Sequence, residues 1–277
     1  MDKINSFSKT NNDLMIITSK NLVNSSSTSK GNQIKWCVNN IWYKSNSLGY
    51  ENVAEVIASL LADNIDNFDS VSYGLIKVKY NNNKIYDCDY SKSFLNADES
   101  IITFDRLLKF NFPDMYKHYR KKPPVKRLKL VMELQNVVII NMSEYVLKNI
   151  LFDAIILNED RHLNNLAFIK TSNGYKECPN FDNGLCLLSD LNDYPMNVGL
   201  IENIFNVSSK PFNEDFDTQI RLVKNMLGDY VLKININNFY KDLDKIDFGE
   251  YTLYKDRCID VLNNRLDYYK NKIWEEI

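Results

Sequence analysis

The chain has 277 residues, of which 44% are hydrophobic, a share that supports one or two packed domains and excludes disorder as the dominant state. Its 34 basic and 36 acidic residues give a formal net charge of −2, too small for a whole-chain field that would hold nucleic acid or an anionic membrane. Five widely spaced cysteines and the lack of an apolar run of membrane-spanning length indicate a cytoplasmic chain with reduced thiols, no membrane span and no direct nucleic-acid partner.

The first 89 residues predict a small antiparallel sheet with one helix. Alternating or apolar runs separated by Ser-, Asn- and Gly-containing turns predict the strands, and Asn39-Asn40 is typical of a tight hairpin turn. Apolar residues at helical spacing predict a helix over residues 51–63. The polar segment 87–92 is interpreted as the connection between two lobes. The predicted strands cover residues 14–17, 34–38, 41–43, 71–80 and 84–88.

Residues 90–277 predict a larger and mainly helical lobe, so the fold class is α+β with two lobes, 1–89 and 90–277. A helical pattern begins near residues 100–111, and a longer helix starts with Ser143 as its N-cap. A polar loop at 158–165 follows, then a short hairpin that begins with the apolar run 166–169. Amphipathic segments nearer the C-terminus predict helices that pack on this lobe.

Three polar residues in the loop–hairpin–loop region form the strongest chemical pattern. Asp160 and Asn165 stand five positions apart in the sequence DRHLNN, and Asp182 follows the hairpin in FDNG. Carboxylate and carboxamide oxygens are ligands that magnesium accepts, and a phosphate-transfer site requires them. The spacing predicts phosphoryl transfer, with Asp160 near an acceptor hydroxyl and with Asn165 and Asp182 on the metal.

The predicted N-terminal sheet supplies the cation that such a site needs. Lys44 ends the strand sequence IWYK, and the following helix carries Glu55. A strand lysine paired with a helix glutamate is the expected arrangement for holding nucleotide phosphates. Glu51 is the alternative acid on the same helix, and it is interpreted as complementing the helix N-terminus.

These motifs, in this order, resemble those of the HipA-like kinase family. The resemblance covers roughly residues 35–190 and rests on KSNSLGYENVAEVIASLL, ILNEDRHLNNLAFI and FDNGL. It implies a protein-kinase-like fold and the chemistry of the short stand-alone, CtkA-like Ser/Thr kinases, which use ATP and Mg²⁺. It further implies that Lys44 and Glu55 contact nucleotide phosphates, that Asp160 is the catalytic base, and that Asn165 and Asp182 bind the metal.

The resemblance also implies partners and a regulatory loop. The partners would be a protein substrate and an antitoxin or another neighbouring-gene product. In the loop SSSTSKG, Lys30 and backbone N–H groups are expected to contact phosphate, and the four serines and Thr28 at positions 25–29 include a hypothetical autophosphorylation site.

Two other readings of the same residues stay open. The basic run KHYRKKPPVKRLK, residues 117–129, would suit a phosphoinositide headgroup and hence a lipid or small-molecule kinase, although such runs are more often a solvated face. A pseudokinase or toxin-like interaction module would bind nucleotide or a partner without chemistry.

Overall fold

The computed structural model describes residues 14–23, 33–81 and 83–277, which form a mixed α+β fold. A six-stranded sheet lies in the N-terminal part, and helices dominate the remainder, as the sequence predicts. The strands are β1 (Leu14–Ile17), β2 (Leu22–Val23), β3 (Lys35–Val38), β4 (Ile41–Ser45), β5 (Tyr73–Tyr80), β6 (Lys84–Lys92), β7 (Ser100–Thr103), β8 (Ala167–Thr171), β9 (Gly174–Glu177), β10 (Leu232–Ile234) and β11 (Trp274–Glu276). The helices are α1 (Glu51–Asp63), α2 (Phe104–Asn111), α3 (Pro113–Tyr116), α4 (Pro124–Met132), α5 (Gln135–Val138), α6 (Met142–Ile156), α7 (Leu200–Asn206), α8 (Phe216–Leu227), α9 (Ile236–Leu243) and α10 (Thr252–Tyr269).

The N-terminal sheet has the strand order β1-β5-β6-β4-β3-β2. Its pairs are antiparallel except at one edge, where β1 lies parallel to β5, a pairing that the local pattern did not indicate. Asn39 and Asn40 join β3 to β4 with φ angles of 51° and 63°, in the left-handed region that a two-residue hairpin requires. The segment 87–92 belongs to β6, so its interpretation as a connector is wrong; its residue Asp89 contacts Lys44 in the site described below.

Helix α1 belongs to the large core of the molecule rather than to the sheet alone. Its residues Ile57 and Leu61 are fully buried and share one apolar cluster with Ile155 of α6 and Leu262 of α10. The Tyr50 side chain, immediately before the helix, is fully buried, and its hydroxyl lies 2.9 Å and 2.7 Å from the carbonyl oxygens of Leu187 and Leu188. The start of α1 is therefore attached to a segment far along the chain.

A second core fills the space between α2, α4, α6 and α8, and a three-stranded sheet of order β7-β8-β9 lies beside it. The helix predicted near residues 100–111 begins only at Phe104, because residues 100–103 form the strand β7. This strand pairs with β8, which lies 60 to 70 residues further along the chain and which a local pattern cannot reveal.

The N-cap of α6 is Asn141 rather than the predicted Ser143. The Asn141 carboxamide oxygen accepts from the Ser143 backbone N–H.

A short turn before α1 touches the segment that follows FDNG, the second of the two acidic motifs, DRHLNN and FDNG. Gly49 forms a β-bridge with Asp190, and a Cβ at Gly49 would lie 2.1 Å from the Ser189 carbonyl oxygen, so only glycine fits at this position.

The division of the chain into two lobes after residue 89 stays a prediction. None of the helices among the described residues combines the length and apolar character that crossing a lipid bilayer demands.

Candidate active site

Lys44 lies at the centre of a buried cluster of three carboxylates, here called the Lys44 centre. Its Nζ is 2.8 Å from Glu55 Oε2, 3.2 Å from Asp182 Oδ1 and 3.7 Å from Asp89 Oδ1. Strand β4 places Lys44 directly opposite Asp89 of β6, so both side chains point to the same face of the sheet. The sequence motifs did not include Asp89, whose role depends on this cross-strand register.

The two glutamates of α1 have different partners. Glu55 is fully buried, with one carboxylate oxygen on Lys44 and the other accepting from the Asn183 backbone N–H at 2.7 Å. Glu51 accepts from the backbone N–H groups of Ser47, Leu48 and Gly49, at 2.7–2.8 Å, and thereby holds the turn before the helix. The structure thus places Glu55, and not Glu51, against Lys44.

Burial and neighbouring charges together shift the pKa values of the groups in the Lys44 centre. Burial lowers the pKa of Lys44, but Asp89 and Glu55 outweigh it and the pKa lies well above its usual value. Burial raises the pKa of Asp89 to about 8, against the attraction of Lys44 and with the repulsion of Glu55 and Asp182. Burial also raises the pKa of Asp182, but Lys35 and Lys44 reverse the shift, so this carboxyl ionises more readily than usual.

The loop after α6 carries Asp160 and Asn165, both largely buried. Asn165 Nδ2 donates to the Asp160 carbonyl oxygen at 3.0 Å, and the Asn165 backbone N–H donates to the His162 carbonyl oxygen at 2.8 Å. The Asp160 backbone N–H donates to Asn158 Oδ1 at 2.9 Å. These bonds give the loop one defined conformation and orient the Asn165 carboxamide.

Arg161 joins this loop to the segment that carries Asp182. Its guanidinium and the Asp153 carboxylate are both fully buried and form a multiple ion pair at 2.9–3.1 Å. The remaining donors reach the carbonyl oxygens of Asn165, at 2.9 Å, and Phe181, at 3.0 Å, and Asn183 Oδ1, at 2.6 Å. We call this set the Arg161 centre. Because it contacts residues on both sides of Asp182, the two acidic motifs have a defined relative position.

The Asp160 carboxylate has basic neighbours on both oxygens. Lys210 Nζ lies 2.9 Å from Oδ1, and His162 Nε2 lies 3.6 Å from Oδ2. His162 Nδ1 is buried and has no hydrogen-bond partner among residues 14–23, 33–81 and 83–277. Lys210 was not identified from the sequence because it lies in neither motif.

The residues present fit a magnesium ion. Asn165 is oriented through its Nδ2 atom, which leaves its carboxamide oxygen as an acceptor, and Asp182 is held ionised by nearby cations. A carboxamide oxygen and an ionised carboxylate are suitable hard ligands. Another set of carboxylate oxygens, on Glu159, Asp190 and Asp193, lies within 4.8 Å of one another, and we assign no ion to it because acidic groups often cluster without one.

Lys30 and the serines at 25–29 lie outside the described residues, so their roles stay predictions. The other five site residues named from the sequence lie around one region: Asp182 contacts Lys44, Lys44 contacts Glu55, and Arg161 links Asn165 to both neighbours of Asp182. Asp160 is bonded to Asn165.

Comparison with solved structures gives two matches of interest. The Helicobacter pylori proinflammatory kinase CtkA aligns over 92% of this chain and 95% of its own, with a TM-score of 0.59 and 16% sequence identity. The complex of HipA, HipB and operator DNA from the toxin–antitoxin system of Shewanella oneidensis MR-1 aligns over 87% of this chain and 65% of that chain, with a TM-score of 0.40 and 11% identity. No family model and no curated protein matches the chain.

The alignment with CtkA spans nearly the whole of both chains and shows that this chain has a kinase-like fold. The fold expected from the resemblance to HipA-like kinases is therefore confirmed. At 16% identity the alignment does not carry a substrate or a mechanism to this chain, so these are argued below from its own residues.

Proposed function

We propose that this chain is a kinase that transfers the γ-phosphoryl group of ATP to a hydroxyl, with a Ser or Thr side chain of a protein as the acceptor. One observation carries the proposal. Arg161 bonds to both acidic motifs, and Asp182 bonds in turn to Lys44, which supports assigning a base, two metal ligands and a phosphate-binding cation to this one region.

Each residue has a role that follows from its surroundings. Lys44, oriented by Glu55, would contact nucleotide phosphates. Asn165 and Asp182 would hold Mg²⁺, which when bound supplies charge neutralisation on the phosphates. Asp160 would accept a hydrogen bond from the acceptor hydroxyl and receive its proton as the new O–P bond forms.

The grouping of three carboxyl groups around Lys44 supports a cation-dependent site. Three carboxylates share one ammonium group, and the raised pKa of Asp89 reflects the resulting repulsion after its larger cause, burial. A nucleotide alone would add further negative charge to this region. Binding of nucleotide should therefore depend strongly on a divalent cation.

A kinase for an anionic lipid or small molecule is the second candidate, favoured by the segment 117–129. Most of its basic side chains are exposed, and none has an ion pair within the described part of the chain. Arg127 of this segment donates to the carbonyl oxygens of Pro211 and Phe212, which follow Lys210 along the chain, and the Lys210 ammonium contacts Asp160. An anionic headgroup docked there would lie near the base.

The test measures ATP consumption and thermal stability with and without MgATP. The wild type should show a magnesium-dependent rise in melting temperature and turnover with a Ser/Thr peptide mixture, because a ligand that binds the folded state stabilises it. Asp160→Asn and Asp182→Asn should lose turnover by roughly 10²-fold or more. Turnover on phosphoinositide vesicles instead of peptides would select the second candidate.

Neighbouring asparagines provide a matched control. Asn164 is exposed and accepts from the Thr103 hydroxyl, whereas Asn165 is buried in the site. Asn165→Ala should abolish the magnesium-dependent shift, and Asn164→Ala should retain it. A wild-type shift without turnover on any acceptor would instead indicate a nucleotide-binding pseudokinase. An antitoxin or other neighbouring-gene partner stays a prediction of the resemblance.

A further inference from the structure

Lys210 reaches the site from a segment that neither acidic motif contains. It lies 50 positions beyond Asp160 along the chain, yet its ammonium is 2.9 Å from Asp160 Oδ1. The Lys210 side chain is 40% exposed, so the ion pair lies at the open side of the site rather than within the core. An ion pair with one half-exposed partner adds little stability by itself, so its position beside the catalytic base needs another explanation.

The backbone around Lys210 is held by a buried side chain. Gln219 of α8 is fully buried, its Nε2 donates to the Lys210 carbonyl oxygen at 2.9 Å, and its Oε1 accepts from the backbone N–H groups of Phe212 and Asn213. Ser209 is also buried and donates through its hydroxyl to the Asn213 carbonyl oxygen at 2.7 Å. These bonds fix the backbone of the segment, so the Lys210 side chain extends towards the site from a defined position.

Besides Lys210, the side chains of Arg161 and Lys44 are cations bonded to the motifs, and both are already engaged. Arg161 is surrounded by the Asp153 carboxylate and by oxygens of the two loops, and Lys44 is shared by three carboxylates. An ammonium group has three N–H donors, and the pair with Asp160 uses one of those on Lys210. Lys210 is therefore the cation best placed to meet additional negative charge beside the base.

We propose that Lys210 is a catalytic residue that binds the phosphoryl group during its transfer, and this rests on the kinase function proposed above. The acceptor O–H bond breaks with its proton passing to Asp160, the acceptor oxygen bonds to phosphorus, and the bond from phosphorus to the β-phosphate oxygen breaks with its electron pair staying on ADP. Lys210 remains protonated throughout. Its ammonium stabilises the charge that spreads over the phosphoryl oxygens.

In the absence of ATP, the ion pair with Asp160 keeps the Lys210 ammonium beside the base, where the phosphoryl group and the acceptor oxygen must meet. When the phosphoryl group binds, two of the three ammonium donors can turn towards it without displacement of the chain, because Gln219 holds the backbone. Preorganised donors of this type lower the barrier since they need no rearrangement during the reaction.

The decisive experiment compares ATP and ADP, because only ATP has the group that Lys210 would contact. With Mg²⁺ present, Lys210→Met should weaken ATP binding about 10-fold or more, leave ADP binding within about twofold, and lower kcat by roughly 10²-fold. Lys210→Arg retains the charge and should recover most of the ATP preference. Dissociation constants come from titration calorimetry and kcat from ADP release.

Lys176 supplies a matched control, since it is a half-exposed lysine that forms a 2.6 Å ion pair with Glu99 away from the acidic motifs. Lys176→Met should leave the ATP and ADP constants unchanged. Equal losses of ATP and ADP binding in Lys210→Met would indicate a structural role and overturn the proposal. A rise in kcat would also overturn it, because Lys210 would then restrain Asp160 rather than assist the transfer. Absence of nucleotide binding in the wild type would overturn the kinase function and this inference together.

Discussion

The Arg161 centre and the Lys44 centre are both buried groups of charges, but their charge balance differs. In the Arg161 centre one guanidinium faces one carboxylate, Asp153, and its other donors reach neutral oxygens. In the Lys44 centre one ammonium faces three carboxylates. The first pairs one cation with one anion and is fully hydrogen-bonded, whereas the second holds three carboxyl groups around one ammonium, and a pKa of about 8 keeps Asp89 protonated at neutral pH.

This difference in charge balance indicates that the Arg161 centre has a structural role and that the Lys44 centre has a role in ligand binding. A balanced buried pair positions the chain segments that bond to it, and loss of either partner leaves an uncompensated charge. An unbalanced centre has incomplete stabilisation until a cation arrives, which is the property of a ligand site. Substitutions in the two centres should therefore affect different quantities, stability in one and ligand binding in the other.

The largest effect is expected for Arg161→Met. This change leaves the Asp153 carboxylate fully buried without its cation and should lower the free energy of unfolding by about 3–5 kcal/mol. Urea denaturation of the purified protein measures it. The double variant Asp153→Asn/Arg161→Met removes both charges and should be more stable than Arg161→Met alone. A single variant within about 1 kcal/mol of the wild type would show that the Arg161 centre is not structural.

A smaller effect, on activity, is expected for Glu55→Gln. The amide cannot neutralise Lys44, so kcat/KM should fall about 10- to 100-fold while the melting temperature changes little. Glu51→Gln is the control on the same helix. Because Glu51 accepts from three backbone N–H groups of the preceding turn, its loss should reduce stability by about 1–2 kcal/mol and spare kcat. A reversed pattern would exchange the roles of the two residues.

The smallest effect is expected for Asp89→Asn and depends on pH. Burial raises the pKa of Asp89 to about 8, well above its value in the unfolded chain, so the folded state binds a proton that the unfolded state lacks between about pH 4 and 8. The stability contributed by this group is full below pH 4 and decreases as pH rises through 8. Asp89→Asn should match the wild type near pH 5 and exceed it by about 1–2 kcal/mol near pH 8.5.

Melting temperatures across this pH range give the comparison for Asp89. Asp98, which is exposed in a turn, provides the same substitution at the surface as a control, Asp98→Asn. If Asp89→Asn were less stable than the wild type at pH 8.5, the carboxylate would be a net stabilising partner of Lys44. The Lys44 centre would then be less unbalanced than its geometry indicates.

Local signals were sufficient for the elements whose determinants lie within them. Helix α1 has the predicted bounds because its apolar spacing and the turn before it lie within some fifteen consecutive residues, and Asn39-Asn40 forms the turn that asparagines favour. The order of the acidic motifs likewise indicated residues that the fold brings together. In each of these cases the relevant partners are near in sequence or belong to a known arrangement.

Residues whose importance depends on distant partners were not identified from the sequence. Lys210 and Asp89 look like ordinary polar residues until a loop and a strand register place them beside Asp160 and Lys44. The same limitation explains β7, whose residues pair with β8 far along the chain. Distant pairing contributes energy that no sequence window contains, so such positions need the tertiary structure.

The burial of α1 in the large core has a consequence for motion. The Tyr50 hydroxyl, immediately before the helix, donates to the carbonyl oxygens of Leu187 and Leu188. The apolar face of α1 packs among helices of the C-terminal part. We therefore expect Glu55 to keep its position relative to the C-terminal helices. A displacement of the N-terminal sheet relative to these helices would carry Lys44 with it and separate the lysine from the glutamate.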